Sequence, residues 1–265
     1  MAAAPGPAQP TVRGRAGRAR THAGTGSTAR SEPATLAGQR QCKHEAVSRE
    51  GGGPDPNGLR IEYPDSGLTE DQLADTWLEQ FRSWFADAVN AGIPEPNAVV
   101  LATVGTDSMP AARLVLMKSF DESGIVVFTN GYSAKGQELA ANPFAALVFP
   151  WHSMHRQVRM SGPVEVVDEA ASDAYFAGRP YGARIAARVS RQSQVIAARS
   201  DLERDWVAQA RAYPEGGDVP RPPGWQGYRV RPESVEFWSG RQNRLHDRLR
   251  FRRTEDGWVT ERLAP

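Results

Sequence analysis

Short segments rich in β-branched and aromatic residues recur along the chain, several with the period-two alternation of apolar and polar positions that is typical of β-strands. These segments lie at residues 98–104, 111–118, 125–129, 145–149, 157–167, 227–231, 235–238, 248–253 and 258–263. Turn residues such as Gly105, Asn130 and Gly131 separate those of the first group. Because no long helix falls between most of them, the pattern predicts an antiparallel sheet that is closed or half-closed as a barrel.

Helical periodicity surrounds this sheet. Before the first strand, apolar positions keep the i, i+4, i+7, i+8 spacing of one helix face, at Trp77, Phe81, Trp84, Phe85 and Ala88. Asp75 is the predicted N-cap of this helix, and Gly92 and Pro94 are predicted to end it. Further helical patterns lie at residues 136–141, 169–177, 181–190 and 201–212. The sequence therefore predicts an α+β fold in which peripheral helices are attached to a barrel.

The composition changes sharply near residue 57. Before it, the chain consists mainly of Ala, Gly, Pro, Arg, Ser and Thr, so it cannot bury enough apolar surface to offset the entropy of ordering. We predict a disordered N-terminal extension over residues 1–57 and one folded domain over residues 58–265. The Arg-rich start faintly resembles an organellar transit peptide, but Gly and Pro interrupt every helical window, which favours a flexible extension or an upstream start codon.

Charge and cysteine content narrow the class of protein. The formal net charge is +1, which gives no indication of a nucleic-acid partner. Cys42 is the only cysteine, so the chain cannot form an internal disulfide framework and a thiolate metal site is not expected. No apolar run approaches the roughly 20 residues that span a bilayer. We therefore expect a cytoplasmic protein with no membrane and no nucleic-acid partner.

Several common functional motifs are absent from the sequence. It contains no glycine-rich phosphate loop of the Rossmann or P-loop type and no G-x-S-x-G elbow. His152 and His155 are three residues apart, but no carboxylate or third ligand lies at metal-binding spacing. We predict no metal site.

The segment Arg244-Leu245-His246-Asp247-Arg248 concentrates cationic side chains. If its backbone is extended, alternation places Arg244, His246 and Arg248 on one face, where two guanidiniums and an imidazole would favour an anion such as phosphate. Asp247 would then point the other way, as an internal partner. A solvated basic edge strand is the alternative, and the segment alone does not decide between the two.

A second group of polar residues lies along the earlier strands. Arg113 and Lys118 are five residues apart, so strict alternation puts them on opposite faces, and they serve one ligand only if a β-bulge intervenes or the ligand wraps the strand end. Lys135 lies at the start of a predicted helix, whose free N–H groups suit a phosphate. Gln157 and Gln192, with Ser193, add donors and acceptors suited to a polar heterocycle.

Together these pieces resemble the pyridoxine 5′-phosphate oxidase family over residues 59–265. The motifs in chain order are Arg-Leu-Val-Leu-Met-Lys (113–118), Val-Phe-Thr-Asn (127–130), Phe-Pro-Trp (149–151), Arg-Gln-Val (156–158), Tyr175 with Arg179-Pro180, Val-Ser-Arg-Gln-Ser (189–193), Val-Glu-Phe-Trp (235–238), Arg-Leu-His-Asp-Arg (244–248) and the terminal Glu-Arg-Leu-Ala-Pro. The resemblance implies an FMN-binding antiparallel split β-barrel that works as a homodimer with flavin at the interface. It implies oxidation of pyridoxamine 5′-phosphate and pyridoxine 5′-phosphate to pyridoxal 5′-phosphate, with dioxygen reduced to hydrogen peroxide.

The resemblance also implies roles for individual residues. FMN is expected on Arg113, Phe128, Thr129, Lys135, Gln157, Gln192, Ser193, Trp238 and Arg248. The substrate phosphate is expected on Lys118, Tyr175 and Arg179. The residues expected at the substrate ring and at its cover are Arg244, His246, Arg60 and Tyr63, with Arg244 and His246 at the reacting centre.

The chain departs from the family pattern at Ala134, Ala183 and Phe128, where relatives often carry Arg, Ser and Tyr. Losing the Ser hydroxyl would remove one hydrogen bond to the substrate phosphate, at a cost of about 1.5–3 kcal/mol. Two alternatives stay open on the sequence: a split-barrel flavoprotein with another substrate, and a non-enzymatic protein that carries FMN or pyridoxal phosphate or binds RNA through its arginines. Yellow protein that fails to oxidise pyridoxamine phosphate would favour the first, and steep salt dependence would mark the RNA alternative.

Overall fold

The structure is a computed structural model that describes residues 56–63 and 67–265. The chain divides into two compact units, Met1–Leu59 and Arg60–Pro265. Of the first unit, the described part is a single 3-10 turn at Pro56–Leu59. The predicted disordered extension lies almost wholly outside the described residues and stays a prediction. Within the described residues, every strand and α-helix belongs to the second unit.

Nine strands form one antiparallel sheet system in the order β4-β1-β2-β3-β6-β5-β7-β8-β9. Their bounds are β1 Ala98–Val104, β2 Pro110–Asp121, β3 Gly124–Asn130, β4 Phe144–Trp151, β5 Arg156–Val166, β6 Trp225–Val230, β7 Ser234–Ser239, β8 Asp247–Thr254 and β9 Gly257–Arg262. Because β4 also pairs with β5, the first six strands of this order close into a barrel, and the last three continue from β5. The predicted α+β class and antiparallel barrel are confirmed.

Strand β5 holds the two parts of the sheet together. Its residues 156–163 pair with β4 along one edge, while residues 156–161 pair with β7 along the other. The end of the strand, residues 164–166, instead pairs with β6. Gly162 lies at this change of partner, where a Cβ would overlap the carbonyl oxygen of Arg231. A glycine is therefore required for the chain to pass so close to its neighbour.

Helix α1, Trp77–Asn90, fills the barrel side of the core with aromatic rings. Phe81 is fully buried and its ring lies 5.0 Å from that of Phe149. Trp84 packs edge-on against Phe237 at 5.3 Å. The predicted N-cap was wrong by one residue, because the Thr76 hydroxyl, not Asp75, accepts the backbone N–H of Glu79 at 3.2 Å.

Four more helices surround the barrel: α2 Ala134–Ala141, α3 Glu169–Ala177, α4 Tyr181–Val189 and α5 Arg199–Ala212. Helix α3 has the predicted bounds, and α2 and α5 each begin two residues earlier than predicted. Within residues 56–63 and 67–265, no helix is both long and apolar enough to cross a membrane.

Candidate active site

A cleft of about 690 Å³ opens between the barrel and its attached helices. Strands β2 and β3 form one wall, α2 closes one end, and the segment from α3 through α4 forms the other wall. The predicted site residues that line it are Arg113, Lys118, Phe128, Thr129, Lys135, Tyr175, Arg179 and Gln192. Residues that the family resemblance assigns to FMN therefore share one cleft with those that it assigns to the substrate phosphate.

Strand β2 has a β-bulge at Lys118. The register between β2 and β3 pairs Met117 with Val127 and then Ser119 with Val126, so Lys118 is an extra residue with no partner in the ladder. The bulge reverses the alternation of side chains only beyond Lys118, so it does not turn Lys118 to the face of Arg113. The two cations share the cleft because residues 113–116 and 118 all line it, which corresponds to the other condition that the sequence set, a ligand that wraps the end of the strand.

Arg113 is held in place by an acidic partner. Its guanidinium Nη2 lies 2.9 Å from the Glu138 carboxylate on α2, and its Nη1 donates to the Thr103 hydroxyl of β1. Burial alone would raise the pKa of Glu138, but hydrogen bonds from Thr103 and Arg113 outweigh it and hold that pKa below its ordinary value. The arrangement fixes the guanidinium at the cleft wall before any ligand binds.

Lys135 lies deeper, with 8% of its surface exposed. Its ammonium Nζ donates to neutral oxygens: Gln192 Oε1 at 2.9 Å, Thr129 Oγ1 at 3.2 Å and Ser133 Oγ at 3.4 Å. Burial lowers the pKa of Lys135 and repulsion from Arg113 lowers it further, while attraction to the Glu138 carboxylate offsets part of this shift. Ser133 caps α2 by accepting the N–H of Gly136, so the remaining free N–H groups of the helix start lie beside this ammonium. Such a site fits an anion.

Aromatic rings from both walls meet in the cleft. Phe128 stacks on Tyr175 with ring centroids 4.0 Å apart and on Trp225 at 5.4 Å. Arg179 lies over Trp225, with its Cζ 4.8 Å from the ring centroid. Trp225 was not among the residues predicted from the sequence; its only signal was an aromatic residue at the start of a strand after a Pro-rich loop.

A second set of predicted residues lies together elsewhere on the fold. Trp238 of β7 is in register with Gln157 of β5 on one side and with Arg248 of β8 on the other, so the three share one face of the sheet. The His246 ring lies 4.7 Å from that of Trp238, and the Tyr63 ring lies 5.6 Å from that of His246. Among the described residues, none of these five lines the cleft.

Two residues of the second set, Arg248 and His246, have defined hydrogen-bond partners within the chain. The Arg248 guanidinium forms an ion pair with Glu236 at 2.8 Å and donates to the carbonyl oxygen of Ala264 at 2.8 Å. The His246 Nδ1 accepts the backbone N–H of Arg241 at 3.1 Å, which places the ring proton of the neutral imidazole on Nε2. Burial lowers the pKa of His246, and the nearby charge of Arg244 lowers it further.

The extended backbone from Arg244 to Arg248, which was the condition for placing its three cations on one face, is not present. Residues Gln242–Arg244 form a 3-10 turn in which Asn243 and Arg244 have φ of 56° and 61°, and β8 begins only at Asp247. Left-handed backbone breaks the alternation. Arg244 is therefore an exposed residue of the turn, and of the three cationic residues only Arg248 belongs to the strand.

Asp247 has the internal role that the sequence predicted for it. Its buried carboxylate accepts the N–H of Leu68 at 3.0 Å and forms ion pairs with Arg262 at 2.6 Å and Arg241 at 3.1 Å. Burial alone would raise its pKa, but these three donors outweigh that and lower it. The carboxylate thus ties the chain before α1 to strands β8 and β9.

Three predicted site residues lie outside both sets. Arg60 forms an exposed ion pair with Glu62 at 2.9 Å, and Arg244 is exposed in its turn. Ser193 is exposed with φ of 72°, next to the cleft residue Gln192. Their roles stay predictions.

Comparison with known proteins gives the family. The model described as "Pyridoxamine 5′-phosphate oxidase" matches residues 85–208, and that described as "Pyridoxine 5′-phosphate oxidase C-terminal dimerisation region" matches residues 225–265. A pyridoxine/pyridoxamine 5′-phosphate oxidase of Salinispora arenicola is 53% identical over 212 residues, which cover 79% of this chain and 96% of the relative. The chain belongs to the pyridoxamine 5′-phosphate oxidase family. A relative of the same name in Thermosynechococcus vestitus is 55% identical over 207 residues, 78% of this chain and 97% of its own.

A solved structure agrees with this membership. PhzG from Burkholderia lata, in complex with tetrahydrophenazine-1-carboxylic acid, superimposes with a TM-score of 0.71 at 30% identity, covering 76% of this oxidase-family chain and 99% of its own. The region matched by the dimerisation model contains Trp238, His246 and Arg248 of the second set.

Proposed function

We propose that this member of the pyridoxamine 5′-phosphate oxidase family oxidises pyridoxamine 5′-phosphate and pyridoxine 5′-phosphate to pyridoxal 5′-phosphate, as a homodimer that uses FMN. The observation that carries the proposal is the single cleft lined by two pairs of cations, Arg113 with Lys135 and Lys118 with Arg179, together with the stacked rings of Phe128 and Tyr175. One pair suits the phosphate of the cofactor and the other that of the substrate.

The residues present fit FMN. Lys135 is a buried ammonium whose hydrogen-bond partners among the described residues are neutral oxygens, and it faces the repulsion of Arg113. A phosphate at the start of α2 would relieve both costs. Thr129 and Gln192 would orient the group from the adjacent wall. When bound, FMN would supply the two-electron redox chemistry between the substrate and dioxygen.

The overall reactions balance simply. For the amine, substrate, dioxygen and water give pyridoxal 5′-phosphate, ammonia and hydrogen peroxide. For the alcohol, substrate and dioxygen give pyridoxal 5′-phosphate and hydrogen peroxide. The protein's part is to bind the substrate phosphate through Lys118, Tyr175 and Arg179 and to hold the ring in place.

The second set of residues is proposed to complete the cleft of the other subunit. Gln157, Trp238 and Arg248 do not line the cleft of their own chain within the described residues, and the last two lie in the region matched by the dimerisation model. Arg244, His246, Tyr63 and Arg60 would then lie against the substrate, and Ser193 against the flavin. His246 would donate through Nε2 and position the substrate ring, because its Nδ1 already accepts the backbone N–H of Arg241.

The pH dependence follows from His246. Because burial and Arg244 lower its pKa below the ordinary 6.5, the imidazole stays neutral as the pH falls through 6.5 and protonates only in more acid solution. We expect kcat/KM to be flat down to about pH 6.5 and to fall below it. Imidazole NMR of wild type, with His246→Asn to assign the signal, measures the midpoint. A midpoint above 6.5 would contradict this assignment.

Ala183 offers a gain-of-affinity test. It lines the cleft close to Arg179, where relatives often carry Ser. Ala183→Ser adds a hydroxyl that can donate to the substrate phosphate, and we expect KM for pyridoxamine 5′-phosphate to fall about tenfold, as a hydrogen bond to a charged group suggests. Steady-state kinetics measure it. Ala186→Ser, on the same helix and cleft, is the matched control, and equal effects of both variants would rule out a specific contact.

The proposed function is tested by two measurements on the purified protein. A flavin absorption spectrum with FMN released on denaturation is expected, followed by peroxide release on addition of pyridoxamine 5′-phosphate. Flavin-loaded protein that releases no peroxide would overturn the proposal and direct attention to another substrate. We also propose a cytoplasmic location, supported by the single cysteine in 265 residues, which cell fractionation checks.

A further inference from the structure

Arg179 is an unusual cation in the cleft. It lies between α3 and α4, and its Nη1 is buried without a hydrogen-bond partner among the described residues. Burial lowers the pKa of this guanidinium, and Tyr175 partly offsets that effect. A buried N–H that lacks an acceptor is rare in native proteins and calls for an explanation, and a ligand that accepts from it supplies one.

Two aromatic rings lie against the guanidinium of Arg179. Its Cζ lies 4.8 Å from the centroid of Trp225 and 5.7 Å from that of Phe176. Trp225 is 6% exposed and opens β6, where it pairs with Asn130 of β3. Its ring is parallel to that of Phe128 within 14°. The indole is therefore a rigid platform built into the barrel wall.

Other arginines near the two sets are held differently. Arg113 is paired with Glu138 and Arg248 with Glu236, each at hydrogen-bond distance. A carboxylate partner occupies N–H donors and neutralises the charge, so it competes with an incoming phosphate. An aromatic face attracts a guanidinium through its π-electrons and leaves the N–H donors free.

We propose that Trp225 is a positioning residue for the substrate: its indole holds the Arg179 guanidinium in place with its donors free for the substrate phosphate. The inference rests on the proposed function, since it takes a phosphorylated pyridoxine compound as the ligand. Trp225 acts on the substrate through Arg179.

The test compares Trp225→Leu and Trp225→Phe in the FMN-loaded enzyme. Trp225→Leu removes the π-face, and KM for pyridoxamine 5′-phosphate is expected to rise about tenfold while kcat stays within about twofold. Trp225→Phe keeps an aromatic face and should restore most of the affinity. Trp206→Leu, a half-exposed tryptophan of α5 outside the cleft, is the matched control and should leave KM unchanged. FMN content and the melting temperature report folding. If Trp225→Leu does not fold, Trp225→Met, which also lacks a π-face but has a flexible side chain that fills irregular space, takes its place.

A double-mutant cycle separates positioning from general packing. In an Arg179→Met background, Trp225→Leu should change KM little further, because the guanidinium that Trp225 supports is gone. If instead the effects of Arg179→Met and the Trp225 variants simply multiply, Trp225 does not act through Arg179 and the inference is wrong.

Calorimetric titration with pyridoxal 5′-phosphate gives an independent readout that needs no turnover. Weaker binding by the Trp225 variants supports the inference even if the wild type releases no peroxide, in which case only the proposed function falls. Wild-type turnover with unchanged binding in the variants overturns the inference alone. A wild type that neither turns over nor binds pyridoxal 5′-phosphate overturns both.

Discussion

Replacing Lys135 with methionine is expected to lower FMN affinity by about 100-fold or more, while the apoprotein keeps its fold. The buried ammonium has neutral hydrogen-bond partners in the described structure and a lowered pKa, so its burial is costly without an anion. Removing it takes away the charge that binds the phosphate, worth about 3 kcal/mol for a buried partner. It also removes the cost of burying that charge in the apoprotein.

The two consequences are measured separately. Flavin fluorescence titration gives the affinity for FMN, and thermal unfolding of flavin-free protein gives its stability. We expect the melting temperature of apo Lys135→Met to equal or exceed that of the wild type, and added FMN to raise it less.

Lys118→Met is the matched control, since Lys118 lines the same cleft but is exposed at the bulge. It should keep FMN affinity within about twofold and raise KM for the phosphorylated substrate. A Lys135→Met protein that purifies with a full complement of flavin would show that the phosphate lies elsewhere.

Arg244→Ala is expected to lower turnover by about 100-fold or more while FMN content stays at the wild-type level. Arg244 is exposed in its turn and lies outside the cleft of its own chain, so its loss leaves the cleft residues that would hold FMN intact. Its left-handed φ of 61° is equally strained for Arg and Ala, so the substitution adds no backbone cost. The proposed role is to orient the substrate and stabilise developing charge.

Stopped-flow reduction of the flavin by pyridoxamine 5′-phosphate measures the reacting step directly. Arg244→Lys, which keeps the charge but not the forked donors, should fall between wild type and Arg244→Ala. Arg253→Ala removes another exposed arginine of the same region and should leave the rate unchanged. Wild-type flavin reduction in Arg244→Ala would show that Arg244 has no part in the reaction.

The strands could be predicted from sequence because alternation is a local property. The predicted segment at 235–238 lies within β7, Ser234–Ser239, and that at 125–129 lies within β3, Gly124–Asn130. The sequence left a closed and a half-closed barrel open, since closure depends on β5 pairing with β4, β6 and β7 along different stretches. Such pairings join residues far apart in sequence, and no local pattern encodes which edge is shared.

The geometry of the site also depends on contacts between residues far apart in sequence, which no local pattern encodes. Arg113 and Lys118 were predicted to share a ligand only if a bulge intervened or the ligand wrapped the strand end, and the cleft that both line is formed by helices far along the chain rather than by the sequence of β2. Residues 244–248 are not extended throughout, because the backbone is left-handed at Asn243 and Arg244. Asn tolerates left-handed backbone, so Asn243 was the available sign of a turn in the sequence. Trp225 was missed because its proposed role depends on its contact with Arg179, which lies 46 positions earlier in the chain.

The bulge at Lys118 also sets a distance. Five residues of strand separate it from Arg113, so their Cα atoms are about 16 Å apart at the ordinary rise of a strand. Two bound phosphates, one at each of these cations, would each accept from a positively charged donor of its own. One short stretch of strand can thus offer separate anion sites to two phosphorylated ligands.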